Sequence, residues 1–292
     1  MLPQWTLEIQ QRSYLKILLR SGTHRTDLLR LDPVRTSPPL SDTAPIYAIA
    51  DLQPQLATNW ALIGRVLSLG PIRSYTNLRG DGHLCELFAV DAARDVIRLT
   101  LFGAAVDRFH AAVAPRGTFR FSSGRIKLAA FDSAGAYEVT FGAGATIHAA
   151  AAGMEVSVDP SISLTNLADI STSTPAAPLN LAGVVQAVGN LKRTTTARGK
   201  RLEKREFALV DDSNTKAFCT TWGMLALECS DDYSGHAVVI LGARVSDYNG
   251  SRSINVGFGA SLLLDPSMAV SGRLSAWYTV LPQHHKFTTL GG

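Results

Sequence analysis

From about Pro45 onward the chain is written in short runs that alternate apolar and polar residues, punctuated by Gly, Asn and Asp. A period of two marks strands with one buried face. Residues 97–102 put Ile97, Leu99 and Leu101 on one side and Arg98, Thr100 and Phe102 on the other. Further along, Cys219 and Thr221 oppose Thr220 and Trp222, and Ile126, Leu128 and Ala130 oppose Arg125, Lys127 and Phe131. Near the end, GARVSDYNGSRSINV places two β-prone runs around Asn249-Gly250, a hairpin signal because a type I′ turn needs positive φ at both central residues. A two-residue loop pairs Tyr248 with Ser251, Ser246 with Ser253, Val245 with Ile254 and Ala243 with Val256. One face of that hairpin is then apolar, and the other carries Arg244, Ser246, Tyr248, Ser251, Ser253 and Asn255.

The same pattern occurs twice. ALIGRVLSLGPIRS (residues 61–74) aligns with NLAGVVQAVGNLKR (residues 180–193), setting Gly64 on Gly183 and Gly70 on Gly189. Glu86, Val90, Asp91, Thr100, Phe102 and Gly103 then fall on Glu206, Val210, Asp211, Thr220, Trp222 and Gly223, and Arg125-Ile126 on Arg244-Val245. Five or so short strands per copy, with a helix-like insert after the third (residues 104–114 and 224–229), predict an all-β chain. It consists of two tandem five-stranded Greek-key barrels of the OB type with short helical inserts, joined by a linker. The divisions read as a partly disordered extension over 1–44, a first barrel over 45–157, a flexible Ser/Thr/Ala/Pro-rich linker over 158–178, a second barrel over 179–270, and a helix-like segment and tail over 271–292.

Composition narrows the function. With 292 residues, 46% of them hydrophobic, the chain can build two ordinary cores. A net charge of +4 suits an anionic partner without requiring one. The three cysteines, Cys85, Cys219 and Cys229, form no C-x-x-C pair, so neither a disulfide framework nor a zinc site is expected and a reducing compartment fits. No secretory signal opens the chain, and no segment reads as membrane-spanning. Walker A, H-E-x-x-H and G-x-S-x-G motifs are lacking, and the pairs Asp211-Asp212 and Asp231-Asp232 sit in predicted turns. No catalytic residue, metal or cofactor is expected.

The remaining signal is aromatic and basic. Phe102 and Phe131 in the first copy, and Trp222 and Tyr248 in the second, share faces otherwise made of arginine, lysine, threonine and serine. The loop after the first strand is basic in both copies: residues 73–83 contain Arg73, Tyr75 and Arg79, and residues 192–205 contain Lys192, Arg193, Arg198, Lys200, Arg201, Lys204 and Arg205 against Glu203 alone. Cations that neutralise phosphates beside rings that stack on unpaired bases suit single-stranded nucleic acid of any sequence. The plainer alternatives are a solvated charge run, and Phe102 and Trp222 acting only to close the barrel ends.

These residues resemble a known family, the large subunit of replication protein A, the eukaryotic single-stranded DNA-binding complex, over its two central OB domains. The resemblance rests on Gly242-Ala243-Arg244-Val245-Ser246-Asp247-Tyr248, Thr220-Thr221-Trp222-Gly223 and Glu203-Lys204-Arg205. In the first copy it rests on Ile72-Arg73-Ser74-Tyr75, Arg79-Gly80-Asp81-Gly82 and Val106-Asp107-Arg108-Phe109, and it covers residues 44–278. It implies a nuclear, non-catalytic protein that binds single-stranded DNA in replication, repair and recombination. Stacking is implied for Phe102, Phe131, Trp222 and Tyr248. Phosphate or base-edge contacts are implied for Arg73, Arg79, Arg98, Lys127, Lys204, Thr220, Arg244 and Ser246. Charge adds Arg193, Arg198 and Lys200, and position adds Tyr75 and Arg252. Replication and repair proteins are the implied partners. The family's smaller subunits join through a zinc-bearing third domain, and the chain stops 14 residues after Tyr278, short of one. Two other readings remain: a metal-dependent nuclease built on the same domains, as in meiosis-specific relatives, and an interaction scaffold using residues 1–44.

Overall fold

The computed structural model describes residues 44–77, 80–129, 136–170, 178–195, 201–248, 251–257 and 259–290. The extension over 1–43, with its helix-like run at 14–20, lies outside them. The first copy contains β1 (Ala61–Leu69), β2 (Arg73–Asn77), β3 (Gly80–Val90), β4 (Val96–Phe102), α1 (Ala104–Phe109), β5 (Thr118–Ser122), β6 (Arg125–Leu128), β7 (Tyr137–Phe141) and β8 (Thr146–Ala149). After α2 (Leu167–Ile170), the second contains β9 (Leu179–Val188), β10 (Lys192–Thr195), β11 (Arg201–Val210), β12 (Thr215–Trp222), α3 (Met224–Glu228), β13 (Ala237–Tyr248), β14 (Ser251–Val256) and β15 (Ser261–Leu264). It is followed by α4 (Ala269–Thr279) and a short β16 (Thr288–Thr289).

The second sheet closes on itself. β9 pairs with β11 and β13, β11 with β12, β12 in parallel with β14, and β14 with β13. The first copy follows the same path through β1, β3, β4 and β7, again with one parallel pair, β4 and β7. Where the second barrel runs one 12-residue strand, β13, the first divides it into β5 and β6. The break is at Ser123, whose φ is 60°, and Gly124, whose carbonyl accepts a hydrogen bond from Trp60 Nε1 at 3.2 Å. The hairpin of β13 and β14 has the expected register, Tyr248 opposite Ser251, Ser246 opposite Ser253 and Val245 opposite Ile254.

Each barrel is filled by the apolar set of its alternating strands. Leu62, Leu87, Ile97, Leu99, Leu101, Phe121 and Phe141 are buried in the first, and Leu181, Val185, Phe207, Leu209, Cys219, Ile254 and Val256 in the second. Removing surface of this kind from water is the main stabilising contribution. Leu128 departs from the expected alternation: it is 71% exposed at the end of β6, although Ile126 two residues earlier is buried. Matched glycines do matched work. The amides of Gly70 and Gly189 donate to the carbonyls of Glu86 and Glu206 at 2.8 and 2.7 Å, where a Cβ would stand 3.2 and 3.0 Å from those oxygens. Asp91 and Asp211 are likewise matched and buried, each accepting a backbone amide from the segment that enters its barrel, Ile49 or Leu167, at 2.7 Å. Each also accepts an amide from its own turn, Asp95 N at 3.0 Å or Ser213 N at 3.2 Å, as aspartates in turns do.

A third apolar cluster joins the two copies. Leu67, Phe88, Val90 and Val96 of the first meet Val184, Val239, Leu241 and Leu263 of the second, with Leu274 of α4. Arg65 of β1 donates to the carbonyl and hydroxyl of Ser267 at 2.6 and 2.7 Å, and the amide of Ser267 donates to the Leu67 carbonyl at 2.8 Å. The connection read as flexible is held at its described residues. Ser161 N donates to Arg94 O and Thr165 N to Asn180 O, both at 2.8 Å, and Asp159 accepts the first amide of α4 at 2.8 Å. Leu167 and Ile170 are buried in the second core. Val158, Ile162 and Leu164, all half-buried, pack against the third cluster, so five apolar side chains dock this stretch.

Candidate nucleic-acid interface

Strand pairing sets corresponding side chains of the two copies in corresponding rows. Along β3 and β4, Leu84 faces Phe102, Glu86 faces Thr100 and Phe88 faces Arg98. Along β11 and β12, Lys204 faces Trp222, Glu206 faces Thr220 and Ala208 faces Phe218. The middle row continues across the neighbouring strands. In the first barrel it reads Glu86, Thr100, Thr140, Arg125, and in the second Glu206, Thr220, Asn255, Arg244. One aromatic ring therefore stands at the end of the same strand in both barrels, beside a row with an arginine at one end and a glutamate at the other.

In the first barrel Phe102 is half-buried, and Tyr75 meets it edge-on at 6.0 Å. Tyr75 lies over its cross-strand partner Gly82, where a Cβ would come within 2.6 Å of the phenol ring. The cations around this pair are neutralised locally. Arg73 bridges Glu86 at 2.5 Å and Glu228 of the second barrel at 2.9 Å and is 15% exposed. Arg98, 11% exposed, pairs with Glu138 at 3.0 Å, and Lys127 reaches the same buried carboxylate at 2.8 Å. Burial works to lower the pKa of Arg73, but the charges of Glu86 and Glu228 outweigh it and the net shift is upward. Glu228 is pushed above its ordinary value by burial and by the nearby charge of Glu86, against the pull of Arg73.

The second barrel is more open. Trp222 is half-buried, its Nε1 donating to Asn255 Oδ1 at 3.2 Å, and Lys204 Nζ stands 5.7 Å from the ring centroid, within cation–π range. Lys204 also pairs with Glu206 at 2.7 Å, while Lys192 and Arg193, 64% and 84% exposed, make only loose pairs of 3.7 and 3.9 Å with Glu206 and Glu203. The hydrogen bond from Lys204 is the main reason that Glu206 titrates below the usual carboxylate value. Thr220 is buried within the middle row, Arg244 is exposed at its end, and Ser246 is half-buried further along β13.

Not every expected residue joins this surface. Arg252 is 17% exposed and is used inside the barrel, donating from Nη1 to the Ile170 carbonyl at 2.5 Å and from Nε to Asp247 at 3.2 Å. Arg79, Phe131, Arg198 and Lys200 lie outside the described residues, as does the side chain of Tyr248, whose backbone ends β13. Arg125 and Asn255 were absent from the expected set although they complete the two middle rows. Superposing the repeats would have found Arg125, which aligns with Arg244. Among the described residues no group of three or more His, Cys, Asp or Glu could hold a metal.

Residues 167–265 match the family model described as the replication protein A OB domain. The replication protein A 70 kDa DNA-binding subunit of Drosophila melanogaster is 28% identical over 248 residues, covering 81% of this chain and 39% of its own length. The Mus musculus subunit is 27% identical over 242 residues, with 80% and 37% covered. Replication factor A protein 1 of Saccharomyces cerevisiae is 25% identical over 259 residues, with 87% and 41% covered. The chain thus spans about two fifths of the length of these relatives. A solved replication protein A heterotrimer bound to single-stranded DNA superposes with a TM-score of 0.59 at 26% identity, covering 84% of this chain and 58% of that one.

Proposed function

We propose that this chain, similar to the large subunit of replication protein A, binds single-stranded DNA without chemistry and with little sequence preference, one barrel after the other along the strand. The observation that carries the reading is the repeated placement of Phe102 and Trp222 at the end of the third barrel strand, each beside a Thr-centred row ending in an exposed arginine, Arg125 or Arg244. A ring in that position offers a face to an unpaired base, and the arginines and lysines beside it take the phosphates. Tyr248, at the tip of the β13–β14 hairpin, supplies a further ring in the second barrel, with Ser246 and Arg244 beside it. The solved relative is a heterotrimer on single-stranded DNA, which supports both the ligand and the smaller subunits of that complex as partners. A nuclear role in replication, extending to repair and recombination, is part of the same proposal.

Fluorescence anisotropy with an oligo-dT of ~10 nucleotides, against duplex of equal length, tests the proposal; each barrel should cover at least ~4 nucleotides. Preference for the single strand, lost when Phe102 and Trp222 both become alanine, is the expected result. Equal affinity for duplex, or full affinity in the double variant, would refute it. Tyr248→Leu keeps a β-compatible residue in the hairpin and should weaken binding.

A further inference from the structure

We infer that the two barrels are docked before any strand arrives, and that Arg73 acts as a positioning residue that clamps one barrel to the other. This rests on the tandem reading above and extends it. Domains within one chain move independently unless their interface is large and apolar. Here the interface has an apolar centre built from both barrels, with Leu67 and Phe88 against Val239, Leu241 and Leu263. Two polar clamps flank that centre. On one side Arg65, itself buried, holds the Ser267 carbonyl and hydroxyl at 2.6 and 2.7 Å and the Val158 carbonyl at 2.6 Å. On the other, the Arg73 guanidinium divides its two ends between Glu86 of its own barrel and Glu228 at the end of α3.

Arg73 is consequently a poor phosphate contact. Both terminal nitrogens are engaged by carboxylates and the side chain is 15% exposed, so a phosphate would have to displace two charged partners. Its counterpart by register is Lys192: Arg73 faces Leu84 as Lys192 faces Lys204. Lys192 is 64% exposed, and its loose ion pair is with Glu206 of its own barrel. The duplicated position has therefore divided its labour, one copy clamping the barrels and the other facing solvent. Docking fixes the spacing between Phe102 and Trp222, so a bound strand finds the second site already placed and no ordering of one barrel against the other opposes binding.

The test uses small-angle scattering of the free chain together with titrations of oligo-dT of ~4 and ~10 nucleotides at fixed ionic strength. Glu228→Arg sets a cation against Arg73. It should enlarge the free protein and lower the ratio of ~10-mer to ~4-mer affinity roughly tenfold, by removing preorganisation without touching either stacking ring. Adding Arg73→Glu restores an opposite pair and should return both the size and the ratio. Arg65→Met, which severs the other clamp, should act in the same direction without adding charge. Free wild-type scattering that fits two independent beads would overturn the proposal. So would unchanged size and ratio in Glu228→Arg and Arg65→Met. If the wild-type chain binds neither oligonucleotide, the functional reading fails, and the scattering still decides whether the barrels dock.

Discussion

The two barrels share strands, register and a row of side chains, yet they treat the cations of matched strands differently. In the first, Arg73, Arg98 and Lys127 each meet a carboxylate within 3.0 Å, and Glu138, which serves two of them, is buried. In the second, Lys204 meets Glu206 at 2.7 Å, but Lys192 and Arg193 stand well exposed with partners no nearer than 3.7 Å. Duplication supplied equal backbones, and the difference arose in the acids. A cation already neutralised offers little to a phosphate, because the phosphate must first replace the carboxylate. The second barrel should therefore carry most of the salt-dependent part of binding, and the first should contribute through its rings and Arg125.

The sharpest way to break this contrast is to remove the matched cations. Arg73→Met leaves Glu86 and Glu228 facing each other in a largely buried site and should cost about 3 kcal/mol of stability, as is typical when one partner of a buried ion pair is removed. Lys192→Met should cost less than about 1 kcal/mol, because its pair is exposed and screened. Urea denaturation of the two variants measures both, and equal losses would erase the distinction. Next in size is stacking. Phe102→Ala and Trp222→Ala should each weaken binding of a single strand by about 1–3 kcal/mol. Trp222 should sit at the upper end, since Lys204 polarises its face and the larger ring covers more of a base; anisotropy titrations give the order.

A smaller effect separates the barrels by ionic strength. Replacing Lys192 and Arg193 together by glutamine should reduce the slope of log affinity against log salt by about 0.7 for each phosphate that these two side chains neutralise. Replacing Arg98 and Lys127 in the same way should leave the slope nearly unchanged. The smallest effect is a pair of titrations. Glu206 is held below the ordinary carboxylate value, so the stability it contributes is present above that value and is lost as pH falls through its lowered pKa. Glu228 is raised, so its contribution is present below the ordinary value and is lost as pH rises through its raised pKa. Carboxyl-carbon NMR should show Glu228 titrating at higher pH than Glu206, and the reverse order would contradict the burial on which the contrast rests.

Much of the barrel pattern could be read from alternation and the repeat, because both are local codes. Ile97, Leu99 and Leu101 are buried where a period of two places them, and the Tyr248–Ser251 register follows from Asn249-Gly250. The rings Phe102 and Trp222 were legible for the same reason. What stayed hidden was the state of each cation. Arg98 is neutralised by Glu138, which reaches it from β7, and Arg73 by Glu228 of the other barrel, 155 residues further along the chain. A charge run in sequence looks the same whether or not a distant strand supplies the acid. The docking of the connection was hidden too, because Val158, Ile162, Leu164, Leu167 and Ile170 stand at uneven spacings that match no single strand or helix period.

The last strand sets a practical rule for producing the second barrel alone. Thr288 and Thr289 pair with Thr215 and Lys216 along β12, and Leu290 is 4% exposed within the core. A piece cut at residue 265, where the family match stops, would leave that β12 edge unpaired and vacate the seat of Leu290. It would also strip α4 from Val239 and Leu263. An open edge beside an uncovered apolar seam invites self-association. Such a piece would report on aggregation before it reported on DNA, whereas one carried through residue 290 keeps β16 and α4 and bares only the face that packs on the first barrel.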